Sequence, residues 1–117
     1  MRPTIYIQSG YAPMIYDVLD YLDTCAPDVG LFVSQNVREI KVLTPRMHMG
    51  EAYTGGIIGI SELYFEYPET YELPGRWNAT VSAIIAHEAR HSWQYSHGGI
   101  DELDASLFTD QVLARCP

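Results

Sequence analysis

Apolar residues recur along this chain in two rhythms. Alternation over residues 3–8 predicts a short strand. Met14, Ile15, Val18, Leu19 and Leu22 stand at helical spacing and predict a helix over residues 11–25, ended ahead of Pro27. Residues 37–44 alternate again and predict a half-exposed strand, and residues 53–60 and 62–67 predict two more, separated at Ser61. Residues 68–75 read as a loop. Helical spacing returns at Val81, Ile84 and Ile85 and continues through His91; Asn78 or Thr80 can cap its start, and Gly98 and Gly99 can end it. A last helix opens at Asp101, with Leu103, Leu107 and Ala114 on one stripe and Val112 and Leu113 beside it. The short Gly-Gly connection makes these two helices antiparallel neighbours.

The order strand, helix, three strands, helix, helix predicts an α+β domain. A small antiparallel or mixed sheet packs on an N-terminal helix, the helix that carries His87 and His91, and a C-terminal helix. The 117 residues make one domain, 1–117, without repeat or linker. Hydrophobic content of 47% against 19% charged residues is globular composition. A net charge of −8 argues against a basic nucleic-acid-binding surface. No apolar run approaches membrane-spanning length, and residues 1–8 are too short and alternating for a signal peptide, so the expected compartment is the cytoplasm. In that setting Cys25 and Cys116 are expected as free thiols, with a bridge between the first and last helices as the alternative, and the Asn78-Ala79-Thr80 glycosylation pattern as coincidence at a helix start.

The chemistry concentrates in Ala86-His87-Glu88-Ala89-Arg90-His91. Residues four apart share one face of a helix, so the imidazoles of His87 and His91 can converge on one ion. Zinc suits neutral imidazole and keeps an open coordination position in catalytic sites. Glu88 is rotated about 100° from His87 on the same turn, which places its carboxylate beside that position. This is the layout for metal-assisted hydrolysis of a peptide bond. The plainer alternative is two ordinary histidines on an amphipathic helix.

A third ligand must come from elsewhere, and three residues compete. His97 has the spacing of the longer pattern His-Glu-x-x-His-x-x-Gly-x-x-His, but Gln94 stands where that pattern needs glycine. Asp101 and Asp104 suit helix N-terminal duties, capping and complementing the dipole. Glu102 has no such local duty and is favoured, with Asp104 as the fallback.

His87-Glu88-x-x-His91, followed by a helix that begins Glu102-Leu103-Asp104-Ala105, resembles the gluzincin zinc metallopeptidases over about residues 77–115, and the length resembles the single-domain minimal members. The resemblance implies His87, His91 and Glu102 as zinc ligands and Glu88 as general base. Two features depart from that group. The interval from His91 to Glu102 is short, and Ser106 stands where an aspartate usually orients a ligand histidine. The expected function is zinc-dependent hydrolysis of a peptide or protein substrate. The rival is a zinc-stabilised binding or regulatory module with little activity, its metal closed by a fourth ligand such as His97.

Smaller expectations complete the picture. Residues 55–60 can serve as an edge strand that pairs with an extended peptide, although their glycines equally fit a bulge or tight bend. His48, between Met47 and Met49, can border the cleft, but a lone histidine is more often an ordinary surface residue. Arg90 lies off the metal-binding face and is expected to pair with an acid such as Asp110.

Overall fold

The computed structural model describes residues 5–7, 9–44, 49–67 and 76–117. Its elements are β1 (Tyr6–Ile7), α1 (Ala12–Cys25), α2 (Pro27–Asn36), β2 (Glu39–Leu43), β3 (Gly50–Tyr53), β4 (Ile57–Ser61), α3 (Leu63–Glu66), α4 (Trp77–Gln94) and α5 (Glu102–Arg115). This is the α+β class expected, with a four-stranded mixed sheet in the order β1-β2-β4-β3. The pairs β1–β2 and β2–β4 are parallel, and β3–β4 is an antiparallel hairpin. Loop residues 68–75 and His48 lie outside the described residues.

Three sequence expectations fail locally. Residues 27–36 form a helix that the apolar pattern does not announce, because Gly30, Ser34 and Gln35 dilute its stripe. Its overlooked signals are Pro27 in the first turn and Asp28 beside it. The strand expected over 53–60 is broken. Gly55 and Gly56 take positive φ (79° and 78°) and turn the chain between β3 and β4, so the tight bend is the correct reading of those glycines. Residues 63–66 form a helical turn instead of a strand, burying Tyr64 and Phe65.

The core is built where α1, α2 and α4 meet the sheet. Ile15, Val18, Leu19 and Leu22 of α1 face Ile40, Ile58 and Ile60 of the sheet and Val81 and Ile85 of α4 in one cluster. In β2, Ile40 points into that core while Lys41 is exposed, as alternation demands. The helix α4 packs against α1, α2, α5, β3 and β4 and is buried nearly all round. It begins at Trp77 with no side-chain cap, so neither Asn78 nor Thr80 has the capping role; the Thr80 hydroxyl donates back to the Arg76 carbonyl instead.

The helix α5 is rotated away from the expected stripe. Leu103 and Leu107 are exposed, and Ala105 and Val112 are the residues it buries. Residues 102, 105, 109 and 112 share the face turned toward α4. A small residue at 105 lets the two helices approach, and the same rotation carries Glu102 to the α4 side.

Cys25, at the end of α1, and Cys116, just after α5, form a disulfide with Cα atoms 5.1 Å apart. The free-thiol expectation is therefore corrected. Ninety-one positions separate the two cysteines, so only the packing of α1 against α5 brings them together. Beside the bridge, Arg115 Nη2 pairs with Asp28 Oδ1 at 2.7 Å. Among the described residues, no helix is long and apolar enough to cross a membrane.

Candidate metal centre

The helix α4 presents His87 and His91 one turn apart on the side that meets α5. Their Nε2 atoms are 3.1 Å apart, with the rings nearly perpendicular at 87°. Glu102 reaches across from the first position of α5. Its Oε1 lies 2.6 Å from His91 Nε2 and its Oε2 lies 3.4 Å from His87 Nε2. Two ligand atoms on one tetrahedral ion, each about 2.0–2.1 Å from it, sit about 3.3 Å apart. The His87–His91 and His87–Glu102 separations lie near that value, the His91–Glu102 contact is shorter, and His87, His91 and Glu102 form a group that can hold a metal ion.

The local sequence explains why Glu102 arrives there. Gly98 and Gly99 adopt positive φ of 109° and 101°, which lets the chain reverse within a few residues of α4. Asp101 then caps α5, its side chain accepting from the Asp104 amide at 3.0 Å, which is the role the sequence assigns it. The helix therefore starts at Glu102, directly opposite His91.

Both imidazoles are oriented by hydrogen bonds on their far nitrogen. Gln94 Nε2 faces two acceptors, the Asp101 carbonyl at 2.9 Å and Asp104 Oδ2 at 2.8 Å, so it is the donor end of the amide. Gln94 Oε1 is then the acceptor, receiving the Asp101 amide at 3.0 Å and lying 2.8 Å from His91 Nδ1. His91 therefore donates from Nδ1, and its Nε2 is the atom that faces the cluster. Thr109 does the same for His87. Its hydroxyl donates to the Ala105 carbonyl at 2.8 Å, so its oxygen accepts from His87 Nδ1 at 3.1 Å. Burial first, and the neighbouring His91 second, hold the His87 pKa below the usual imidazole value, against the opposite pull of Glu102. A neutral imidazole is the form that binds a metal.

Both rings are thus oriented by an amide and a hydroxyl, with no carboxylate on either Nδ1 among the described residues. Gln94 was legible in part: it lies three residues after His91, within reach on a helix. Thr109 was not, because its place depends on how α5 packs.

The remaining candidates have other work. Asp104 binds Arg90 through two hydrogen bonds, Nε to Oδ2 at 2.7 Å and Nη2 to Oδ1 at 3.1 Å. Arg90, and then Gln94, hold the Asp104 pKa below its ordinary value. Asp104 is thus not the third member of the cluster, and the partner of Arg90 is Asp104, not Asp110. The guanidinium also lies over Phe32, Trp93 and Phe108, at 5.2, 4.3 and 4.9 Å from the ring centroids. His97 stacks on Trp93 with centroids 4.2 Å apart, and its Nδ1 is 2.8 Å from the Trp93 carbonyl oxygen. It stands outside the cluster.

Glu88 is buried and turns toward β3. A Cβ placed on Gly50 would come within 2.9 Å of Glu88 Cγ and 3.0 Å of its Oε2, so the absence of a side chain at position 50 makes room for this carboxylate. Glu88 and His87 line the same cavity, of about 300 Å³. The strand of residues 57–61 is flanked by β2 and β4's hairpin partner β3, so it is interior; within the described residues the strand at that end of the sheet is β3. No family model, curated protein or solved structure matches the chain.

Proposed function

We propose that the protein is a zinc-dependent peptidase of gluzincin type, with His87, His91 and Glu102 as metal ligands and Glu88 as general base. The observation that carries this reading is the meeting of two imidazole Nε2 atoms and one carboxylate within 3.4 Å of one another. The ligand types favour zinc: two neutral imidazoles and a carboxylate are the protein donors of one group of catalytic zinc sites. When bound, zinc supplies Lewis acidity, drawing the pKa of a water toward about 7 and polarising a carbonyl.

The rest of the chemistry belongs to the chain's own groups. Glu88 takes a proton as water adds to the substrate carbonyl, and returns it to the amine as the C–N bond breaks. Gln94 and Thr109 keep both histidines in one tautomer throughout. The strand β3 takes the platform role first expected of residues 55–60, because it lies beside Glu88 and pairs only with β4 among the described residues. A peptide is the substrate class. The placement of His97 on Trp93 speaks against the rival, in which His97 closes the metal as a fourth ligand. The Cys25–Cys116 bridge favours an oxidising compartment over the cytoplasm expected from sequence.

The test is zinc content together with cleavage of unstructured peptides. Glu88→Gln is expected to keep zinc and lose cleavage by about 10²-fold or more. Cleavage by that variant at the parent rate sinks the mechanism. A purified protein that takes up no zinc sinks the reading as a whole.

A further inference from the structure

The helix α5 supplies two groups to the candidate metal centre, Glu102 and Thr109, yet apolar packing holds it only lightly. Ala105 and Val112 are the residues it buries, whereas Leu103 and Leu107 are 70% and 58% exposed. It packs chiefly on α4. Ties at its two ends fix it in place. At the first end Arg90 binds Asp104, and Gln94 binds Asp101 and Asp104. At the other, Arg76 Nη2 donates to the carbonyls of Leu113 and Cys116 at 2.8 and 2.7 Å, Arg115 pairs with Asp28, and Cys116 is bonded to Cys25.

The disulfide differs from the other ties in being covalent and in what it is fastened to. Cys25 ends α1, whose Ile15, Val18, Leu19 and Leu22 are all buried in the main core. The bridge therefore joins the far end of α5 directly to that core. From the bridge to Glu102 the helix runs about 20 Å, and a helix of its 14 residues is marginal in water on its own. Undocking α5 thus removes one of three ligand side chains together with the hydroxyl that orients His87. The two sulfurs differ in access: Cys116 is 1% exposed, while Cys25 is partly exposed. An external thiolate meets Cys25 first.

We propose that the Cys25–Cys116 bridge is a redox latch on the metal centre: oxidised, it keeps α5 docked and zinc held; reduced, it lets α5 loosen and zinc leave. The inference rests on the zinc-binding part of the reading above, not on hydrolysis. The reductant is a dithiol. One of its thiolates attacks Cys25 Sγ, the S–S bond breaks, and Cys116 leaves as a thiolate that takes up a proton. The second thiol of the reductant then displaces Cys25 from the mixed disulfide. The chain gains two electrons and two protons, and the dithiol becomes a disulfide. Zinc and the bridge stabilise the same docked arrangement, so each strengthens the other by the same factor. A chain with this latch holds its metal in an oxidising compartment and yields it in a reducing one.

The first measurement compares zinc dissociation constants, by competition with a zinc-chelating dye, for the oxidised parent and the Cys25→Ser, Cys116→Ser variant. The variant has no freed thiols that could bind zinc themselves. It is expected to bind zinc about tenfold or more weakly, with faster amide exchange in α5 than in the parent. Should the variant fail to fold, the parent alone decides. It is equilibrated in glutathione buffers of graded ratio, with free zinc saturating or absent, and the bridged fraction is read by alkylation of released thiols. Zinc is expected to make reduction about tenfold harder, a shift of about 30 mV for this two-electron couple. Equal zinc affinity with and without the bridge, unchanged exchange in α5, or a reduction midpoint that zinc leaves unmoved overturns the latch and leaves the metal centre standing. An oxidised parent that binds no zinc overturns both.

Discussion

Gln94 Oε1 lies 2.8 Å from His91 Nδ1, while the Gln94 amide nitrogen donates to Asp101 and Asp104 at the start of α5. One buried side chain thus orients a candidate ligand and anchors the helix that delivers Glu102. Gln94→Ala is expected to weaken zinc binding by about 10- to 100-fold, the usual cost of losing a partner that orients a ligand histidine. Competition with a zinc-chelating dye checks this; an unchanged dissociation constant would rule out the orienting role.

Gly50 faces Glu88 at a distance that leaves no space for a methyl group: its Cβ would also meet the Gly59 carbonyl oxygen at 3.0 Å. In Gly50→Ala the backbone contact cannot yield cheaply, so the Glu88 side chain is expected to move. Zinc content should stay at the parent level while peptide cleavage falls by about tenfold or more. Equal cleavage rates for parent and variant would show that Glu88 tolerates the displacement.

The Cys25–Cys116 disulfide ties the end of α1 to the end of α5. Closing a loop of this length restricts the unfolded chain, and removing such a bridge costs about 2–5 kcal/mol. A double Cys25→Ser, Cys116→Ser variant should melt roughly 10 °C or more below the oxidised parent. Calorimetry in the presence and absence of reductant gives the comparison, and a parent that melts at the same temperature in both would refute it.

Asp28 next to Arg115 provides a pH-dependent contribution to stability. The Arg115 hydrogen bond, outweighing a smaller burial effect, lowers the Asp28 pKa below its ordinary value. A carboxyl with a lowered folded pKa adds stability above its unfolded pKa of about 3.9, and this is lost as pH falls through the folded value. The pair is solvent-exposed, with Asp28 at 64%, so the contribution is at most about 1 kcal/mol. Asp28→Asn should be slightly less stable than the parent at pH 7, with the gap closing under acid. Denaturant titrations at pH 7 and pH 3 test this, and a gap that widens in acid would contradict it.

Some of this molecule could be read without its fold. The span of α4 and the placement of His87, Glu88 and His91 on it follow from helical periodicity, which is local. The start of α5 was equally legible, because an aspartate at position 101 satisfies an orphan amide within its own helix. So was the half-exposed strand β2, where Ile40 and Lys41 alternate.

Tertiary structure decided what periodicity leaves open. The stripe Leu103, Leu107, Ala114 predicted the wrong buried face of α5. A short helix with few apolar residues takes its rotation from the neighbour it packs against, and Ala105 allows the closer approach to α4. That rotation, absent from any local pattern, brings Glu102 to His91, aligns Thr109 with His87, and leaves Asp104 to Arg90. The packing of α5 also sets Cys116 against Cys25 across 91 positions of sequence. The motif residues were written in one turn and a half of sequence; the choice of their third partner was made by how two helices pack.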